Sequence, residues 1–373
     1  MRILFTGGGT GGHFFPLLAV IRELKRIAEE ERILDLELYY MGPDNFGMDF
    51  LKEEGVAIIP VFAAKWRRYP AAENFLDLVR APLGILQGLW NVWLLVPDAV
   101  FSKGGYGAMP AVAAAAVFRI PIIIHESDSV PGKVNLFSRH FASRVGIAFA
   151  GAAKYFTEEK SALIGVPLRR RILFGNRDEA REAFDIYSTA PVVGIIGASQ
   201  GAEKLNEAVL GVLKNLTESY EILHQTGEPN LEDVKGEGSV ILEFGRKERY
   251  HPVGFMDELG IRDFYAACDL IVSRAGASSI FEIAAYGKPA ILIPLSHAAQ
   301  NHQWENAYEY AAGGAAVILE EPNLTPHLLF AEIKKLIDDP QMLRRMGEAA
   351  KRFARPDSAE LIAREILKLG VHS

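Results

Sequence analysis

Two segments of this chain carry the same punctuation: a short apolar run, a glycine-rich turn, then a stretch with helical periodicity. The first is Ile3-Leu4-Phe5 followed by Gly7-Gly8-Gly9-Thr10-Gly11-Gly12-His13; the second is Val192–Ile196 followed by Gly197-Ala198-Ser199-Gln200-Gly201-Ala202. Behind the first turn come a helix over Pro16–Glu29 and apolar runs at Leu36–Met41, Ala99–Phe101, Ile120–Ile124 and Val145–Ala148, with a helix at Met109–Phe118. Behind the second come runs at Glu221–His224, Ala267–Val272, Ala290–Ile293 and Ala316–Leu319, then helical segments at Pro326–Asp338, Gln341–Arg352 and Ser358–Leu369. Short apolar strands alternating with helices make a parallel sheet covered on both faces. A pattern that starts twice predicts an α/β protein of two Rossmann-like domains facing across a cleft. The 373 residues suit that division, being more than one hydrophobic core ordinarily serves. Expected boundaries are 1–164, 165–356 and a closing segment, 357–373, that packs back on the first domain.

Composition removes several alternatives. With 49% apolar and 23% charged residues the chain is an ordinary globular one. A net charge of −7 argues against nucleic acid as partner, so any anion site is local. The single cysteine, Cys268, excludes an internal disulfide and a cysteine-built metal cluster, and reads as a small buried apolar residue. Met1-Arg2 leads directly into a strand with no signal-peptide core, and the apolar stretches Ala108–Phe118 and Leu83–Val96 fall short of the ~20 residues that span a bilayer. No transmembrane helix is expected, and the chain reads as cytoplasmic.

The glycine turns carry the chemistry. A helix N-terminus behind a glycine turn presents backbone N–H groups to negative charge. A dinucleotide site would want an acid at the end of the second strand; that strand ends Tyr39-Tyr40-Met41-Gly42-Pro43, with Asp44 beyond the turn. His13 is a candidate general base, or else caps its own loop. Ser199 and Gln200 suit a phosphate, or a tight structural turn. Ser273-Arg274-Ala275-Gly276-Ala277-Ser278-Ser279-Ile280-Phe281-Glu282 joins a glycine, two hydroxyls and a helix start to a carboxylate one turn in. That places diphosphate and ribose recognition in one unit. The amides and imidazoles of Ser296-His297 and Gln300-Asn301-His302-Gln303 suit sugar hydroxyls; zinc on His297 and His302 is the rival, without further ligands to complete it. No Asp-x-Asp pair occurs, so the departing diphosphate is expected to be met by helix dipoles and by Arg169 or Arg274, without metal or other cofactor.

Taken in order, Gly7–His13, Ser102-Lys103-Gly104-Gly105-Tyr106, His125-Glu126, Gly165-Val166-Pro167-Leu168-Arg169, Ser199–Ala202, His224-Gln225-Thr226-Gly227 and Arg274–Glu282 resemble the MurG family. These are peptidoglycan N-acetylglucosaminyltransferases acting on undecaprenyl-diphosphate-linked muramyl-pentapeptide, and the match runs to about residue 320. The resemblance implies a GT-B fold and inverting transfer to the acceptor's C4 hydroxyl, converting lipid I to lipid II. It implies UDP-N-acetylglucosamine held by Thr10, Gly11, Gly12, Asp128, Arg169, Ser199, Met256, Ala277, Ser278, Ser279, Ile280, Phe281, Glu282 and Gln303, with Glu282 on the ribose. The acceptor falls to His13, Tyr106, Glu126 and Asn135. His13 is the expected base, with the carboxylates Glu126 and Asp128 as alternatives. Implied partners are an anionic membrane surface and other cell-wall synthesis proteins, at the cytoplasmic face of the bacterial inner membrane.

The chain departs from the family pattern where the usual His-Glu-Gln-Asn becomes His125-Glu126-Ser127-Asp128, Gly-Gly-Ser-Gln becomes Gly197–Gln200, and Gly-Asn-Pro-Val-Arg becomes Gly165–Arg169. An ionised Asp128 near diphosphates is unfavourable unless protonated, paired or serving as the base. Lys65-Trp66-Arg67-Arg68-Tyr69-Pro70, followed by Phe75, Leu76, Leu83, Ile85, Leu86, Leu89, Trp90, Trp93 and Leu94, mixes cations with large apolar groups as an interfacial patch does; core or a dimer face would use the same residues. Rival functions are a UDP-sugar epimerase, a transferase with another acceptor, and a non-catalytic UDP-sugar-binding subunit recruited to membranes.

Overall fold

The structure, a computed structural model, describes residues 1–8, 11–43, 47–64, 72–197, 202–296 and 301–371, without the side chains of 72–79 and 371. It divides into two compact units, residues 1–169 with 355–373 and residues 170–354. The sequence reading places the division at 164/165; the structure places it five residues later, at 169/170.

The first unit holds a seven-stranded sheet, all pairs parallel, in the order β3-β2-β1-β4-β5-β6-β7. Its strands are β1 (Arg2–Thr6), β2 (Glu37–Gly42), β3 (Ala57–Pro60), β4 (Ala99–Ser102), β5 (Ile122–Glu126), β6 (Arg144–Ile147) and β7 (Ser161–Leu163). β4 and β5 are buried along their whole length, as strands covered on both faces must be. The first helix runs Gly11–Glu30, starting five residues ahead of Pro16, which sits inside it.

The closing helix Ser358–Val371 is part of this unit. Its Ile362, Ala363, Ile366 and Leu367 share one core with Ile3, Leu17, Ile21 and Leu24. Ion pairs from Arg364 to Glu31 (2.9 Å) and Arg144 to Glu365 (2.8 Å) flank that seam, and Ser358 Oγ donates to the carbonyl of Gly165 at 3.1 Å.

The second unit repeats the plan with six parallel strands in the order β10-β9-β8-β11-β12-β13. They are β8 (Val192–Ile196), β9 (Glu221–Gln225), β10 (Tyr250–Val253), β11 (Leu270–Arg274), β12 (Ala290–Ile293) and β13 (Ala316–Ile318). Asp269 lies just outside β11, where it chelates Arg177 and accepts from Val192 N. Strands β3, β7 and β10 escaped the sequence reading. All three are sheet edges, only partly buried, and β10 contains Pro252, which an edge tolerates because one side of its ladder is open.

In both sheets the strand order reverses beside the first strand, between β1 and β4 and between β8 and β11. Loops at the carboxyl ends of strands flanking such a reversal form the ligand crevice of open α/β sheets.

Candidate functional site

In the first unit the reversal brings the turn after β1 against the turn after β4. Gly7 and Gly8 have φ of 147° and 106°, Gly104 and Gly105 of 78° and 80°, conformations that side chains resist. The buried Tyr40 hydroxyl donates to Gly7 O at 2.5 Å and stands where a Cβ on Gly8 would go. A Cβ on Gly105 would lie 2.9 Å from Gly8 O and 3.8 Å from His13 Nε2, so the half-buried imidazole of His13, in the first turn of Gly11–Glu30, faces the Gly104-Gly105 turn. Tyr106 follows at once, in the short 3₁₀ turn Tyr106–Ala108.

The loop after β5 is built around Glu126. Its Oε1 accepts from Asp128 N (3.0 Å), and its Oε2 accepts from Gly132 N (3.1 Å) and Asn135 Nδ2 (2.9 Å). Burial, with the nearby Asp128 charge adding to it, raises the Glu126 carboxyl, while bonds from Asp128 N and Asn135 and the Lys103 charge pull it back. Those contacts make Glu126 the organiser of the loop. Asn135 also donates to His125 O at 3.1 Å, and its Oδ1 is buried with no hydrogen-bond partner among the described residues, 2.7 Å from where a Gly104 Cβ would be. His125 Nε2 meets Gly165 O at 2.8 Å; burial and the Lys103 charge hold its basicity well below the usual range, keeping it neutral.

Lys103, unremarked in the sequence beyond its place in a motif, is buried to 2% exposure with its ammonium on Ser127 Oγ. Burial pushes it down to about 8, against the pull of Glu126 and Asp128. Asp128 is half-buried. Arg169 ends this unit, buried, with its guanidinium 4.2 Å from the centre of the Phe15 ring.

In the second unit the end of β11 leads through Ala275-Gly276 into the helix Ala277–Ala285. Gly276 supplies no side-chain cap, and Ile280 N to Gly276 O (3.0 Å) is the first helical bond, so the N–H groups of Ala277, Ser278 and Ser279 lie at the helix's positive end. Ile280 and Phe281 are buried in support, while Ser278 and Ser279 are half-buried. One turn in, Glu282 Oε2 accepts from Tyr265 OH at 3.0 Å, and Tyr265 stacks on Tyr286 at 5.6 Å. Met256 is buried in the loop after β10, where Phe255 N is held by Glu228 at 3.0 Å. Gln303 Oε1 accepts from Leu295 N at 3.0 Å, fastening the segment after β12 to the start of helix His302–Ala312.

One expected role is corrected by these contacts. Arg274 was offered as a cation for the departing diphosphate; its guanidinium is buried on Glu321 at 2.6 Å and on Ile293 O at 3.3 Å. Burial would raise the Glu321 carboxyl, but bonds from the Ser296 hydroxyl and N–H and from Arg274 outweigh it and hold it at about 2. The pair braces the loop after β12. His224, from the His224–Gly227 motif, is likewise internal: its ring nitrogens meet Tyr250 OH and Asn206 Oδ1, both at 3.0 Å, and burial pushes it down to about 3.

Thr10, Ser199, Gln200, His297, Gln300, Asp44 and Lys65–Pro70 lie outside the described residues. Among the described residues no cluster of His, Cys, Asp and Glu is arranged to hold a metal, and no helix is long and apolar enough to cross a membrane. Sequence reasoning missed Lys103, Tyr40 and Tyr265, whose partners are remote in the chain; a lysine inside an otherwise apolar and glycine run was the available signal for the first.

Residues 3–147 match the model of the glycosyltransferase family 28 N-terminal domain and residues 192–362 that of its C-terminal domain. The UDP-N-acetylglucosamine–N-acetylmuramyl-(pentapeptide) pyrophosphoryl-undecaprenol N-acetylglucosamine transferase of Bacillus cytotoxicus is 33% identical over 371 residues, 99% of each chain. The enzyme of the same name from Halalkalibacterium halodurans is 33% identical over 373 residues, covering 99% of this chain and 100% of its own. The crystal structure of Acinetobacter baumannii MurG superimposes with a TM-score of 0.76 at 26% identity, covering 98% of this chain and 99% of that one. A UDP-GlcNAc 2-epimerase from Neisseria meningitidis shares the fold at a TM-score of 0.66, with 13% identity over 99% of this chain and 100% of its own.

Proposed function

This chain belongs to the MurG family within glycosyltransferase family 28, and from that premise we propose that it transfers N-acetylglucosamine from UDP-GlcNAc to an undecaprenyl-diphospho-N-acetylmuramoyl-pentapeptide. The observation that carries the donor half is the helix Ala277–Ala285 at the strand-order reversal of the second unit, with Glu282 one turn inside it. The donor diphosphate takes the helix N-terminus, with the Ser278 and Ser279 hydroxyls beside it, and Glu282 accepts from the ribose. Met256 meets the uracil through its backbone, and Gln303 keeps the sugar-side loop in place.

The acceptor belongs to the first unit. As the C4 hydroxyl attacks the anomeric carbon, the bond to the UDP oxygen breaks, configuration inverts and His13 takes the hydroxyl proton. Glu126 has both oxygens engaged, so it holds the loop carrying Asp128 and Asn135. Charge on the leaving UDP is met by the helix dipole and by Arg169, without a metal ion. An interfacial seat suits a lipid-linked acceptor. Leu83, Leu86, Trp90, Trp93 and Leu94 of the helix Ala72–Leu95 are exposed, Leu86, Leu89, Trp90, Trp93 and Phe118 line an apolar groove, and that apolar face supports peripheral attachment to the cytoplasmic side of the membrane.

The test is transfer of labelled N-acetylglucosamine to a short-chain muramyl-pentapeptide diphospholipid in EDTA, with an acceptor-free control. Acceptor-dependent product is expected. Product only after metal addition would remove metal independence, and an altered UDP-sugar formed without acceptor would replace the reading with an epimerase. The epimerase likeness supports the fold alone.

A further inference from the structure

The loop after β5 presents an electrostatic problem with a visible solution. Two carboxylates, Glu126 and Asp128, stand two residues apart, the first 4% exposed and the second half-buried. Like charges so placed repel each other and any diphosphate brought near them. The family pattern described above is neutral at the positions of Ser127 and Asp128, whereas this chain puts a hydroxyl and an acid there. The charge that answers the acid comes from another strand end. Lys103, directly after β4, is 2% exposed, its ammonium is bonded to Ser127 Oγ, and both Glu126 and Asp128 act on it through their charge. His125, which also feels the Lys103 charge, is neutral on Gly165 O. A Cβ on Gly7 would come 2.9 Å from the Lys103 Cβ, so the stem is clamped by the β1 turn and the ammonium is directed to the β5 loop. Burial strips the ammonium of hydration, and the charges of Glu126 and Asp128 offset part of that cost.

We propose that Lys103 is a positioning residue for the transfer reaction: its ammonium fixes Ser127 and offsets the Glu126–Asp128 pair, so that Asp128 can stand beside a diphosphate-bearing sugar. Lys103, Ser127 and Asp128 then form one interdependent set. Asp128 orients a substrate hydroxyl, while proton removal stays with His13. The proposal rests on the transferase reading, and wild-type transfer in the same assay tests that reading separately.

Four proteins decide it: wild type, Lys103→Met, Asp128→Asn and the double variant, each assayed for kcat and for KM toward the lipid-linked acceptor and UDP-GlcNAc. Lys103→Met, close in volume but uncharged, is expected to raise one KM by roughly tenfold to a hundredfold, and the double variant to recover most of that loss. A rise confined to the acceptor KM assigns the set to the acceptor diphosphate; one confined to the donor KM assigns it to UDP-GlcNAc. Lys103→Met within twofold of wild type, or a double variant no better than Lys103→Met, would overturn the proposal. If Lys103→Met folds poorly, the melting temperatures of the same four proteins read the same coupling: recovery in the double variant supports it, additive loss defeats it.

Discussion

Replacing Glu321 with alanine should destabilise the second unit far more than an ordinary surface change, because it strands a buried cation. In the pair, Arg274 Nη2 lies 2.6 Å from Glu321 Oε1, with the side chains 9% and 4% exposed. Removing one partner of such a pair costs about 3–5 kcal/mol, most of it from the charge left behind. Ser296 N and Oγ, at 3.1 and 2.7 Å from Oε2, also lose their acceptor, but they sit at a half-buried turn where water can substitute. The net expectation is therefore about 3–5 kcal/mol, a midpoint shift of roughly 6–20 °C for a unit of this size. Urea unfolding of wild type, Glu321→Ala and Arg274→Met/Glu321→Met measures it, and the double variant should recover most of the stability. The pH dependence has a definite sign. A carboxyl held at about 2 contributes stability that is complete above the ordinary carboxyl range and lost as pH falls through about 2, so wild type and Glu321→Ala should converge in acid. A Glu321→Ala loss under 1 kcal/mol, or a double variant as unstable as the single, would refute the account of this pair as a brace whose value lies in mutual neutralisation.

Glu282→Ala should weaken UDP-GlcNAc binding by roughly ten- to hundredfold in calorimetry, the loss of a charge-assisted bond, whereas His13→Ala should leave binding within about twofold and suppress turnover. Equal loss of binding in both would undo the division of roles. Gly104→Ala places a methyl 2.7 Å from Asn135 Oδ1 at a φ of 78°, so it should displace Asn135 from Glu126 and lower transfer at least tenfold; an unaffected rate would show that the Asn135 contact is dispensable. Trp90→Ser with Trp93→Ser removes the paired rings, 5.4 Å apart, from the exposed apolar face and should reduce sedimentation with anionic vesicles while sparing transfer to a detergent-soluble acceptor. Vesicle binding unchanged by that pair would move the membrane contact elsewhere.

The central strands in front of the two glycine clusters were legible because parallel strands covered on both faces are uniformly apolar. Three of the four edge strands were not, since Ala57–Pro60, Ser161–Leu163 and Tyr250–Val253 are held by one neighbour and need no continuous apolar run. The helix Ala277–Ala285 was legible from Gly276, the two serines and Glu282, all local in sequence. Arg274 was misjudged because its partner, Glu321, comes 47 residues later and only the β12–β13 crossover brings it back. Lys103 escaped for the same reason, its partner Ser127 lying 24 residues on. Local chemistry is written in neighbouring residues; neutralisation by a remote side chain appears only after the strands are ordered.

The helix Ser358–Val371 gives the chain a history as well as a shape. It completes the core begun by Ile3 and Leu17, so the first unit to leave the ribosome is among the last to be finished. At ~5–20 residues per second, β1 waits roughly 20–70 s for Ile362 and Ile366 to be made, holding an open apolar seam through the synthesis of the whole second unit. Loss of the helix Ser358–Val371 should therefore injure the amino-terminal unit, and a nascent chain stalled near residue 350 should be a better chaperone substrate than either finished half.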